Sequence, residues 1–375
     1  MISGVQIFRL SLLLCYFPVL LAGEVISEKM AYALATRYAP YVEFESLQFT
    51  EGNSVTPTPR GWWRQPATIR QNRSDGEAPL SGLHLAIDPG HIGGVWAAAE
   101  GRHFQINDSD FPVREGELVL EVAQRVRETA EALGAEITLL RESADPVNPR
   151  APSNYWAEAF ADLEMPAVWT PGKLIDHARA VQRRAVRLSI VIGELAERAR
   201  IVNEAIQPDA LLSLHINAAP WPEEGQVLVD SNHTHVLVFG CLSADEISIP
   251  RQRERLWFKM NNESGPAEAE LGAALGRHLV KATRLPASEY SGQNAIRIDA
   301  EVPALWARNL MLLRLVDCPT VLLEPHIANS LEAYERIQKA LASRAAGAAP
   351  EDDDILVEYA DAIVAGILEV YGPGR

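Results

Sequence analysis

The chain has 375 residues, 47% of them hydrophobic, and a formal net charge of −16 from 50 acidic against 34 basic side chains. That length and apolar content suit one large globular α/β domain or two modest ones. The acidity argues against a nucleic-acid partner, because a phosphate backbone rewards clustered Lys and Arg and no basic run of that kind is present.

In chain order, the opening MISGVQIFRLSLLLCYFPVLLAGEV sets Arg9 ahead of an apolar run over residues 10–22 that closes on Ala22 and Gly23. Residues 1–23 therefore read as a signal peptide, and the expected location is secreted or periplasmic. The run is shorter than the roughly 20 residues a bilayer span needs and Pro18 interrupts it, so an uncleaved anchor is the weaker alternative. No membrane span is expected after signal removal. Cys15 falls inside this segment, which leaves Cys241 and Cys318 in apolar strand contexts, where buried thiols are favoured over a disulfide.

Residues 24–80 read as an N-terminal extension and linker, mixed in character and rich in Pro and polar side chains. Trp62 and Trp63 could form a sugar-stacking platform, but docking of the extension onto its neighbour is the favoured reading. From residue 83 onward strand-like runs alternate with helical patterns: LHLAID, a helix over about 115 to 133, AEITLL, DALLSLH, HTHVLVFG and PTVLLE. This rhythm predicts an α/β fold with a mixed, mostly parallel sheet flanked by helices on both faces. Ile355, Tyr359, Ile363 and Ile367 share one stripe of a closing helix that Gly372 and Pro373 terminate.

Four segments carry chemistry. The run LHLAID leads into Pro89, Gly90 and His91, which sets a His in a glycine-rich turn past a strand's carboxyl end, where sites form in α/β folds. Glu115 opens a helix, a place where a carboxylate ordinarily just favours the helix dipole. His215 ends a second apolar strand, and Glu324 ends a third. Two strand-end His residues and a helix-start Glu are a ligand set zinc accepts, with a fourth position left open. A Glu at the end of an apolar strand is costly to bury unless it is used, and acid/base work beside a metal is such a use.

In order and local pattern these segments resemble the zinc-dependent N-acetylmuramoyl-L-alanine amidases of bacterial cell-wall remodelling. The family's D-P-G-H-x-G-G matches residues 88–94, its x-E-K-x-V-x-L matches 114–120, its S-I-H-A-N/D-A matches 213–218, and its P-x-V-L-V-E matches 319–324. The resemblance implies a catalytic domain over residues 81–375, one Zn2+ ion on His91, Glu115 and His215, and Glu324 as general acid/base. Glu117 then occupies a non-ligating slot. The implied reaction is hydrolysis of the amide between N-acetylmuramic acid and the L-alanine of the stem peptide. Peptidoglycan is the implied substrate, an activator protein is a candidate partner, and Asn217 and His326 are candidate substrate contacts. The alternatives are a zinc hydrolase or peptidase acting on another amide, and a non-catalytic wall-binding or regulatory module.

The sequence departs from the pattern in three places. His91 and Glu115 are 24 residues apart, and that enlarged loop carries His103 and Asp110. A large helical insertion spans about residues 145–195 and offers Trp156 and Trp169, either as a lid or groove wall or as a structural excursion. After Glu324 the chain has Pro325 and His326 where the family has a glycine. His233 and His235 alternate on a strand and are read as packing or surface residues rather than a second metal pair.

Overall fold

The computed structural model describes residues 20–21, 24–25, 28–43, 61–223 and 225–374; the expected signal peptide lies outside them apart from Leu20 and Leu21. The central sheet has seven strands: β1 (His84–Pro89), β2 (Glu136–Leu139), β3 (Ala210–Leu214), β4 (His235–Phe239), β5 (Ile296–Arg297), β6 (Leu305–Arg308) and β7 (Thr320–Glu324). Their order is β2-β1-β3-β7-β4-β6-β5. Strands β2, β1, β3 and β7 are parallel, β4 reverses against β7, β6 follows β4, and β5 closes the edge antiparallel. The sheet is mixed because two reversals, β7 to β4 and β6 to β5, set β4 and β6 against the other five strands.

The longer helices are α1 (Glu115–Ala132), α2 (Pro171–Arg187), α3 (Glu194–Ile201), α4 (Pro250–Asn261), α5 (Ser264–Thr283), α6 (Leu331–Ala345) and α7 (Ile355–Tyr371). Strand side chains alternate between the two faces, and both sets are apolar, so both faces need cover. Leu85, Ile87, Leu212, Leu214, Val321 and Leu323 face one layer, where Leu118, Val122 and Val126 of α1 and the Ile355, Tyr359, Ile363 and Ile367 stripe of α7 meet them. Each such side chain fully buried contributes about 1.5–3 kcal/mol. On the other face Leu237, Phe239, Trp306 and Leu322 pack with Leu256 and Trp257 of α4. Beside them Ala86 and Leu211 pack with Ala199 of α3 and with Leu312.

The described parts of the N-terminal extension belong to this second layer. Leu34 and Tyr38 join the cluster around Phe239, and Trp63 joins the one around Leu211. Trp62 donates its Nε1–H to the Pro208 carbonyl at 2.9 Å. The tryptophan pair is thus used for docking. Cys241 and Cys318 are free and buried. Among the described residues no helix is long and apolar enough to cross a membrane.

The insertion lengthens the connection from β2 to β3. The chain is helical over 171–206, through α2, a π-helical stretch Leu188–Gly193, α3 and a second π-helical stretch Val202–Ile206. A short helix, Trp156–Ala161, folds back on α2, and Tyr155, Ala159, Ala185 and Leu188 form the small core of the resulting arm. Its base is tied down where the backbone N–H groups of Val147 and Asn148 donate to the Glu194 carboxylate at 3.0 and 2.8 Å.

One buried ionic cluster links the extension to the core. Glu268 of α5 accepts from Lys259 Nζ of α4 at 2.7 Å and pairs with Arg37. Burial alone would raise its pKa, but Lys259 and Arg37 outweigh burial and lower it. Its contribution is therefore full above the unfolded carboxylate pKa of about 4.3 and is lost as pH falls through the lower folded value. Glu268→Ala leaves two buried cations unpaired and is expected to cost about 3–5 kcal/mol. Urea unfolding from neutral to acid pH checks this, with the gap between wild type and variant closing on the acid side.

Candidate metal centre

Strand β1 delivers the chain to a turn whose geometry is fixed sterically and by hydrogen bonds. A Cβ on Gly90 would sit 2.3 Å from His215 Cε1 and 2.6 Å from the Leu214 carbonyl, so only glycine fits. His91 follows at φ +56°, a left-handed conformation that few residues other than glycine adopt. Two arginines hold the turn. Arg198 donates to the carbonyls of Pro89 (2.9 Å) and His91 (2.6 Å), and Arg141 donates to those of Pro89 (2.9 Å) and Gly90 (3.1 Å). Arg198 is itself buried between Asp88 at 2.7 Å and Glu194 at 2.8 Å. Burial, with the neighbouring Arg198 charge, pushes Arg141 down to about 10, still protonated at neutral pH.

The second candidate ligand comes from the first residue of α1. A Cβ on Gly116 would approach the Ile92 carbonyl to 2.5 Å, so glycine there lets the helix start close against the turn. Glu115 is only 5% exposed. Its Oε1 lies 3.5 Å from His91 Nε2 and 3.1 Å from His215 Nδ1. The ligand atoms of His91, Glu115 and His215 all lie within 4.8 Å of one another. Burial would raise the Glu115 pKa, but His91, His215 and Arg102, whose Nε is 3.5 Å away, outweigh it and bring it to about 2. Burial disfavours a charged His215, yet its hydrogen bond and attraction to Glu115 prevail and raise its pKa.

The outer partners fix which imidazole nitrogen faces the centre. Ser213 donates its hydroxyl proton to Asp88 Oδ2 at 2.7 Å, so its Oγ is left to accept from His215 Nε2–H at 3.2 Å. That leaves Nδ1 of His215 facing Glu115 Oε1 at 3.1 Å, the nitrogen whose lone pair a bound metal would take in place of the proton. Likewise Glu100 Oε1 lies 3.4 Å from His91 Nδ1, and its other oxygen accepts from Ile92 N–H at 2.7 Å, which leaves His91 Nε2 facing the centre. Two imidazole lone pairs and an ionised carboxylate, each oriented by an outer hydrogen bond, are a donor set that fits zinc.

Glu324 ends β7 on the same sheet edge, paired in register with His235. Burial raises its pKa and Glu115 adds to the rise, while His215, Arg102 and Arg308 offset part of it. Beside it His235 Nδ1 lies 2.9 Å from the Tyr290 hydroxyl, which also receives Arg308 Nη1 at 3.4 Å. Burial, then His233 and Arg308, push His235 down to about 3, so it is neutral. Sequence reading missed Glu100, Arg102, Tyr290 and Arg308 because no local motif contains them. Only the pairing of β7 with β4, and of β4 with β6, brings the last two near Glu324.

The remaining candidates fall elsewhere or are used structurally. Glu117 accepts from Gly94 N–H at 2.9 Å and does not join the ligand group. Asn217 accepts from Ala218 N–H at 2.8 Å with its side chain, and its backbone bridges to Ile327. His326 is 1% exposed and lies 3.7 Å from Glu358 of α7, so the structure gives it a packing position and no open surface for substrate. The reason is packing: α7 covers the His326 ring with Glu358 beside it. Asp110 accepts from the Tyr334 hydroxyl at 2.7 Å, which ties the enlarged loop to α6, and His103 pairs with Arg114 in a two-residue ladder. The rings of His233 and His235 lie 4.7 Å apart, and among the described residues no carboxylate completes a metal-binding set with them.

A family profile described as N-acetylmuramoyl-L-alanine amidase matches residues 85–349. The chain belongs to this family. It is 30% identical over 113 residues to the germination-specific N-acetylmuramoyl-L-alanine amidase of Bacillus subtilis (strain 168), a match spanning 30% of this chain and 41% of that one. Among solved structures it is similar to the N-acetylmuramyl-L-alanine amidase Ami1 of Mycobacterium smegmatis (TM-score 0.43, 18% identity, 78% of this chain and 99% of that one). It is also similar to the CwlD amidase of Clostridioides difficile, solved in complex with the GerS lipoprotein (TM-score 0.40, 15% identity, 77% and 98%).

The outer hydrogen bonds make a measurable prediction for this amidase-family chain. Ser213→Ala and Glu100→Gln keep all three ligands and are expected to weaken zinc binding roughly 10–100-fold. Competition with a calibrated chelator measures the loss, and unaltered affinity in both variants contradicts the assigned orientation of the two imidazoles.

Proposed function

We propose that the chain is a zinc-dependent amidase that hydrolyses the bond between N-acetylmuramic acid and the L-alanine of the peptidoglycan stem peptide. The observation that carries this reading is the convergence of His91, Glu115 and His215, in a family member, at the sheet edge where Glu324 also ends its strand. Zinc bound by the three side chains supplies a Lewis acid that polarises a carbonyl and acidifies water.

The protein's own groups divide the remaining work. Glu115 is ionised throughout the neutral range, as a ligand must be. Glu324 is pushed toward the neutral form, which suits a group that takes a proton from water and returns it to the departing amine. The two carboxyls are thus driven apart in pKa, which distinguishes ligand from acid/base. Arg102 and Arg308 supply positive charge near Glu324 and limit how far its pKa rises. Peptidoglycan is the proposed substrate and an activator protein a proposed partner. An extracytoplasmic location with residues 1–23 as signal peptide completes the reading.

Digestion of purified murein is expected to release new L-alanine amino termini, and Glu324→Gln is expected to lower the rate by roughly 10²–10⁴-fold while zinc content is retained. Glu115→Ala is expected to lose both zinc and activity. Release of a different amino terminus redirects the substrate assignment, and full activity in Glu324→Gln removes Glu324 from the mechanism.

A further inference from the structure

Beyond Glu324 the structure holds a row of side chains with more hydrogen-bond donors than acceptors. The rings of His235, Tyr290 and Trp306 touch in sequence, with centroids 5.5 and 5.0 Å apart. The Arg308 guanidinium lies over the Tyr290 ring, 5.2 Å from its centroid, and donates from Nη1 to the Tyr290 hydroxyl at 3.4 Å. Because that oxygen accepts from Arg308, its own proton goes to His235 Nδ1 at 2.9 Å. The proton of the neutral imidazole then sits on Nε2, which is buried without a hydrogen-bond partner in a side chain only 5% exposed. Trp306 Nε1 and Ser288 Oγ are likewise buried without partners. Unpaired buried donors are costly, and this patch concentrates three of them beside a cation.

That cation lacks a counter-charge. Among the described residues no carboxylate lies within 4.0 Å of Arg308, and the Tyr290 hydroxyl is its one hydrogen-bond acceptor. Arg308, Tyr290 and Glu324 are each half-buried, so the guanidinium and the hydroxyl are the ends of the row that a ligand meets. A surplus of donors around an unpaired guanidinium selects an anion, and the planar fork of Arg matches a carboxylate.

The strand order says which part of a substrate arrives there. His91 and His215 follow β1 and β3, Glu324 ends β7, and His235 opens β4 on the far side of β7. Candidate ligands, acid/base and donor row therefore succeed one another across the sheet. In the reaction proposed above, the amide carbonyl belongs at the ligand group and the departing nitrogen at Glu324. The peptide carried by that nitrogen then continues over β4, toward Tyr290 and Arg308, while the sugar stays on the side of β1 and β3.

We propose that Arg308, held in place by Tyr290, binds a free carboxylate on the residue that follows L-alanine, so that the protein distinguishes stem peptides keeping this carboxylate from those in which it is a carboxamide. The proposal rests on the amidase reading and adds the peptide side of its substrate. His235 is a positioning residue: by taking the hydroxyl proton it turns the Tyr290 oxygen lone pairs toward Arg308.

The test titrates the full zinc-loaded chain with L-alanyl-D-glutamine, whose α-carboxylate is free, and with its α-carboxamide. Calorimetry at low ionic strength reads Kd without any bond being cleaved. The carboxylate peptide is expected to bind roughly 10–100-fold more tightly, the worth of one charge-assisted contact. Arg308→Gln is expected to abolish that preference while zinc content and thermal unfolding match wild type. Arg308→Lys, the milder change should the glutamine variant unfold, keeps the charge without the fork and is expected to reduce the preference. An arginine that only tuned Glu324 would leave the two peptides bound alike. Equal affinity in wild type, or binding of neither peptide, therefore overturns the proposal, as does an undiminished preference in the Arg308 variants. Murein digestion separates this outcome from the amidase reading. A chain that releases L-alanine termini but binds both peptides alike loses the Arg308 assignment alone, whereas an Arg308-dependent preference without such release keeps the carboxylate site and removes the scissile-bond assignment.

Discussion

A buried guanidinium decides the geometry of the candidate metal centre. Carbonyl groups of the Pro89–His91 turn point away from the strand ladder, and a buried carbonyl left without a donor is costly. Arg198, assisted by Arg141, supplies those donors. The same side chain anchors Asp88, and through Asp88 and Ser213 it reaches the outer nitrogen of His215. One cation therefore sets the backbone of one histidine and the ring orientation of the other. Arg198 stays compatible with burial because two carboxylates, Asp88 and Glu194, flank it.

Glu115 and Glu324 show how position alone shifts two identical side chains in opposite directions in pKa. Both are withdrawn from water, which by itself favours the neutral form. Glu115 faces two imidazoles and Arg102, and ionises. Glu324 also has three positive neighbours, His215, Arg102 and Arg308, but they do not outweigh burial and the adjacent Glu115, so it is held back from ionising. The contrast follows from their elements: a helix start wedged against the His91 turn for one, and a strand end beside β4 for the other.

Much of this was legible in the sequence. The strands before His91 and His215 and the one ending at Glu324 announce themselves as short apolar runs, and Leu118, Val122 and Val126 mark α1 by their spacing. Family motifs then separate Glu115 from Glu117. What the sequence concealed depends on contacts distant in the chain. Arg198 lies 110 residues from Asp88, and its role is invisible until the long crossover helix is laid along the sheet. His326 misled for a related reason. It lies two residues beyond Glu324, but its side chain is buried beside Glu358 of α7, so nearness in sequence did not put it on an open surface. The insertion was recognised as helical, yet only the structure shows that it extends the crossover and is therefore rigidly continuous with the helix that carries Arg198.

The two buried thiols have a chemical consequence of their own. Burial, with Glu246 nearby, raises Cys241 to about 11, and burial raises Cys318 to about 12. At neutral pH the thiolate, the form that attacks disulfides and oxidants, is then on the order of one part in ten thousand or less for either residue. Among the described residues, an oxidising compartment therefore finds little thiolate to trap.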